Sequence, residues 1–97
     1  MTNLKTLIFI GAALVAAPAY AADYDACQVL AEFVENTANA RDAGMSMQAA
    51  QEMVRQRMTN AQLSASMQET VRLIYTSGAN VSPGQLAMFM FNTCMEN

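Results

Sequence analysis

Residues 81–94 read Val-Ser-Pro-Gly-Gln-Leu-Ala-Met-Phe-Met-Phe-Asn-Thr-Cys, and this stretch decides the fold. Ser82 is a helix N-cap, and Pro83 takes the first helical position, where a missing N–H costs nothing. Gln85, three residues beyond the serine, completes a capping box, and Val81 and Leu86 are spaced as a hydrophobic staple across the junction. Leu86, Phe89, Met90 and Cys94 are then expected along one side of a helix. That side must face the first helix of the domain, because the other cysteine, Cys27, lies there and the two must meet.

Cys27 and Cys94 are the only cysteines in the 97-residue chain. In a small exported domain an even pair reads as a structural staple. Closing a loop of this length stabilises by about 4 kcal/mol in the chain-entropy picture. Redox chemistry of the Cys-x-x-Cys type needs neighbouring sulfurs, and these are far apart in sequence.

Export is read from the N-terminus. Lys5 stands before an uncharged run, Leu7 to Ala17, which is shorter than the roughly 20 residues a bilayer requires. Pro18 breaks the run, and Ala19-Tyr20-Ala21 offers small residues for cleavage. Residues 1–21 are therefore expected to be a signal peptide, with a cut after Ala22 as the near alternative, and 22–97 a single helical domain. Tyr24-Asp25-Ala26 ahead of Cys27 makes that cysteine a poor lipid acceptor. The processed protein is expected to be soluble, periplasmic or secreted, with no membrane anchor.

Upstream of the deciding stretch the periodicity is helical throughout. Cys27, Leu30, Ala31, Val34, Ala38 and Arg41 fall at steps of three and four, with Phe33 and Thr37 widening the stripe. Asp23 or Asp25 caps this first helix, and Gly44 ends it. Ser46 opens a second helix with Met47, Ala50, Val54 and Met58 on one face. Thr59 to Ala65 stays open between a helical turn and a loop carrying Leu63 as an apolar plug. Ser66 and Glu69 have capping-box spacing for a third helix, with Met67, Val71, Ile74 and Tyr75 inward and Gly78 at its end. The Tyr75 hydroxyl is expected to find a polar partner at a helix edge. The fold class is all-α: a small bundle of about four short helices, its N- and C-terminal helices joined by one disulfide.

An early Cys, Ala40-Arg41-Asp42-Ala43-Gly44-Met45-Ser46, Ile74-Tyr75, Ser82-Pro83 and a late Cys94 occur in this order. Together they resemble a loose group of small exported proteins of proteobacteria and their phages, with a signal peptide and two terminal cysteines. The resemblance implies a compartment and a fold, and no catalytic residues. Thr76-Ser77-Gly78-Ala79 after Tyr75 departs from the aliphatic-Tyr-x-x-Pro stretch of that group. Within it, Arg41, Asp42 and Gly44 are the candidate group motif. Helix-end physics also accounts for them, with arginine on the last carbonyls and glycine at positive φ.

Chemistry is limited by inventory. Beyond residue 21 there is no histidine or lysine, and four arginines stand against eight carboxylates. The usual general bases, Schiff-base amines and zinc ligands are missing, so the chain does not read as an enzyme, and no cofactor is expected. Glu32 and Glu35, one turn apart, read as a solvated face. The acidic balance excludes nucleic acid, which needs a basic stripe.

Methionine is abundant, with nine in the chain. Met45-x-Met47 and Met88-x-Met90 resemble thioether spacings that suit copper(I), although flexible side chains also fill small cores. Met53, Met88, Phe91 and Met95 fall beside the main stripes and are the candidate partner-binding residues. The expected function is thus binding another periplasmic or secreted protein without catalysis. Alternatives are an immunity or inhibitor-type factor against a periplasmic toxin, an acid-stress chaperone-like protein, and a methionine-based copper(I) binder.

Overall fold

The computed structural model describes residues 23–96. The expected signal peptide, 1–21, lies outside them. Four helices follow in order: α1 (Tyr24–Asp42), α2 (Met47–Arg57), α3 (Ala61–Tyr75) and α4 (Pro83–Glu96). Cys27 in α1 and Cys94 in α4 form a disulfide with their Cα atoms 5.6 Å apart. The chain is an all-α bundle whose first and last helices are covalently joined and packed together.

Each helix starts where a short polar side chain can accept from an orphan amide. Asp23 caps α1, its carboxylate accepting from the Asp25 and Ala26 amides. Ser46 caps α2 through the Ala49 amide, and Ser82 accepts from the Gln85 amide at the head of α4. At the end of α1 the Met45 amide donates to Ala40 and the Gly44 amide to Arg41. With Gly44 at φ +106°, this is a Schellman closure that a side chain would strain.

The start of α3 differs from the expected one. Asn60 is the N-cap, its side-chain oxygen accepting from the Leu63 amide at 2.9 Å. Ser66 and Glu69 are therefore mid-helix, and Glu69 pairs with Arg72 instead of reaching back. The earlier start allows the first turns of α3 to join the α2 packing. Ser64 becomes buried and accepts from Gln68, whose backbone carbonyl accepts from Gln51 of α2. Leu63 is half exposed on the helix, so it is no plug.

The end of α3 also departs from expectation. Thr76 is the C-cap, and the amide of buried Gly78, two residues beyond it, donates to the Leu73 carbonyl at 2.8 Å, so Gly78 closes the helix from outside it and also allows close approach. A Cβ there would meet the Leu86 side chain at 3.0 Å and the Ile74 carbonyl at 3.3 Å.

Two small buried clusters form the core. Val34, Ala38 and Ile74 make one, with Leu86 and Met90 against it. Ala50, Val54 and Val71 make the other, flanked by Met45, Met47, Met58 and Met67. Phe33 and Tyr75 touch both and tie them together. Most of the α1 stripe lies inside as expected, with Cys27, Ala31, Val34, Thr37 and Ala38 all buried. Phe89 does not line the α1 side of α4; it is 68% exposed. Five residues from Cys94 is about 140° around a helix at 3.6 residues per turn, too far to share its face.

Candidate functional site

Arg41 has the most consequential geometry in the molecule. Its guanidinium does not cap the carbonyls of its own helix. Nη1 donates to the carbonyls of Ile74 (3.0 Å) and Gly78 (2.8 Å), and Nη2 to that of Val81 (2.9 Å). Nε donates to Asp42 at 2.9 Å. The planar fork thus neutralises the carbonyl-rich end of α3 and binds the turn leading to α4. Only 11% of the Arg41 side chain is exposed. Each residue of the Arg-Asp-x-Gly segment therefore holds structure together. The arginine clamps the turn, the aspartate orients the arginine, and the glycine terminates α1.

Tyr75 reinforces the same region. Its hydroxyl donates to the Met45 carbonyl at 2.6 Å, just beyond the α1 terminus. Burial raises its pKa, and nearby Arg41 opposes that shift. On the surface Arg55 pairs with Glu52 and Arg72 with Glu69, and the latter arginine holds the Glu69 carboxyl below its usual range. Glu32 and Glu35 are both exposed on α1.

The candidate partner-binding residues divide. Met88 is 65% exposed, and Met53 and Met95 are also open to solvent. Phe91 is not open in the same way. It is half-buried, with its ring edge-on to Tyr24 at 5.2 Å. Phe89, assigned inward from sequence, takes its place on the outer side of α4.

The Met-x-Met pairs are also divided. Met45 and Met47 both lean on the α2–α3 cluster, whereas Met90 packs inward and Met88 points out. Among the described residues, no group of three or more His, Cys, Asp or Glu side chains is placed to hold a metal ion.

A second surface feature lies between α1 and α2. α1 packs chiefly on α4 and α2 on α3, so α1 and α2 meet only lightly. A cavity of about 270 Å³ opens there. Phe33, Met45, Met53 and Met58 contribute apolar walls, and Asn36, Thr37 and Arg57 contribute polar groups. No sequence pattern pointed to this cavity, because it arises from how two helix pairs diverge.

The arrangement defines a small disulfide-joined helical domain with an apolar outer helix face and a shallow cavity between α1 and α2. Compared with known proteins, the chain matches no family model, no curated protein and no solved structure. Among the described residues no helix is long and apolar enough to cross a membrane, and the disulfide is consistent with an oxidising compartment.

Proposed function

We propose that this protein is a non-catalytic binding domain of an oxidising exported compartment, periplasmic or secreted, that docks on another protein through the outer face of α4. One observation carries the reading. The α4 sequence is apolar on nearly every side, yet the helix contains no fully buried residue. Helices apolar all round ordinarily lie inside a structure. Here Met88 and Phe89 are about two-thirds exposed, and Met95 lies along the Met88 edge one heptad on. Exposed methionine and aromatic side chains form adaptable contact surfaces.

Charge favours a partner with a basic rim. Eight carboxylates outnumber four arginines after residue 21, and three of those arginines are already paired within the domain. An inhibitor or immunity-type role would use the same surface.

The test places a photo-crosslinking residue at Phe89 and, as control, at exposed Gln48 of α2. The expected result is a single adduct from Phe89 alone. Excess untagged protein should compete for it, and the untagged Met88→Glu/Phe89→Glu variant should not. Equal capture at both sites, or competition by that variant, would contradict the reading. An adduct that is a second copy of this chain would replace the external partner with self-association.

A further inference from the structure

We propose that the α1–α2 cavity is a binding site for a medium-chain carboxylate, a hydrocarbon body with one anionic end. This goes beyond the α4 docking surface and does not depend on it.

Size sets the first limit. The cavity volume of about 270 Å³ corresponds to about nine groups of the roughly 30 Å³ that a water molecule occupies in the liquid. That is slightly below the roughly 300–1,000 Å³ of drug-sized ligand pockets. One unbranched chain of moderate length fits; a sterol or a two-chain lipid does not.

The walls set the second limit. Phe33 on α1 lines the space together with Met53 of α2, Met58 at the α2 C-cap and Met45 from the connecting turn. Thioethers and an aromatic ring offer polarizable contact to hydrocarbon, and unbranched methionines reshape around it. Met53 remains 37% exposed, so the hydrocarbon path reaches the surface beside it.

The polar groups decide the head. Arg57 lines the cavity and is exposed. Arg41, Arg55 and Arg72 each have a carboxylate partner, and among the described residues Arg57 has none. An unpaired guanidinium at the edge of an apolar cavity is suited to a carboxylate, which it binds through parallel N–H donors.

Thr37 adds an independent observation. It lines the same cavity, is only 8% exposed, and its hydroxyl has no hydrogen-bond partner among the described residues. Buried hydroxyls are rarely left unmatched, because desolvation without a partner is costly. A bound polar oxygen would satisfy it. Cation, hydroxyl and apolar wall together select an amphiphile with an anionic end over a neutral or cationic one.

The probe is sodium decanoate, titrated into the disulfide-bonded protein with ¹³C-methyl-labelled methionine and followed by NMR. Saturable shifts are expected at Met45, Met53 and Met58, with Met88 and Met95 unmoved. Decan-1-ol and decyltrimethylammonium should bind at least tenfold more weakly. Arg57→Gln should weaken decanoate about tenfold, the effect of losing a charge-assisted hydrogen bond. Thr37→Val should weaken it a few-fold while raising Tm, because a buried unpaired hydroxyl is removed. Ala40→Phe, which fills the cavity from α1, should abolish the shifts. Equal binding of the three amphiphiles, shifts centred on Met88 and Met95, or unchanged affinity in Arg57→Gln would each overturn the proposal. So would the absence of saturable binding to the unsubstituted protein.

Discussion

Helices α2 and α3 are held in a different way from α4. The first pair interlocks through side chains taken fully out of water, with Ala50, Val54 and Val71 at the centre and methionines around them. α4 offers no fully buried residue, and only half-buried Leu86 and Met90 reach the core. It packs along α1 through these partly buried side chains and through Phe91 against Tyr24, and it is fastened by the Cys27–Cys94 bond near one end and the Arg41-bound turn at the other. A chain this short cannot bury apolar surface on every helix, and covalent and polar fasteners supply the difference. The division also leaves Met88, Phe89 and Met95 of α4 exposed.

The largest way to break this contrast is to reduce the disulfide. Opening a loop of 67 residues is expected to cost about 4 kcal/mol, read from urea midpoints with and without a phosphine reductant. A loss below about 1 kcal/mol would mean that Leu86 and Met90 hold α4 unaided.

Next in size is the arginine clamp. Arg41→Met leaves the Ile74, Gly78 and Val81 carbonyls without their shared donor and should cost about 3 kcal/mol. Arg41→Lys should recover less than half of that, because a single ammonium cannot reproduce the planar fork. Because both fasteners act on α4, their losses should be non-additive in a double-perturbation cycle. Simple additivity would separate the clamp from α4.

A smaller effect sharpens the other side of the comparison. Tyr75 joins both core clusters, and burial raises its folded-state pKa above the ordinary tyrosine value. The stability linked to it is therefore complete below about pH 10, and is lost as pH rises through the raised folded value. Tyr75→Phe should cost about 1 kcal/mol at neutral pH, the worth of its bond to Met45. It should also flatten the alkaline decline in urea midpoints between pH 8 and 11. An unchanged decline would assign the alkaline sensitivity to another group.

Much of this architecture was legible because its signals are local. Ser46, Ser82 and Gly44 act within four residues of themselves, and each does what its type and position imply. The pairing of Cys27 with Cys94 followed from there being no other thiols. The misread elements involve competition or distance. Asn60 and Ser66 are both good caps, and the choice between them rests on packing of Ser64 and Gln68 against α2, which a local pattern does not carry. Arg41 looked like an ordinary helix-end cation because its acceptors lie 33 to 40 residues away. On α4 an apolar residue occurs at nearly every angle, so periodicity admitted an inward side that ran through Phe89; Phe91 packs near Tyr24 instead, and Phe89 lies outside. The cavity beside Arg57 was invisible for a related reason, since it belongs to the angle between helices and not to any one of them.

The most direct test of the account is amide hydrogen exchange on the oxidised and reduced protein, read helix by helix. If α4 is fastened rather than buried, reduction should strip protection from residues 86–94 first. The amides of Val34, Val71 and Ile74 should keep most of theirs. A uniform loss across all four helices would contradict the account, since it would make α4 as much a part of one cooperative core as α2 and α3.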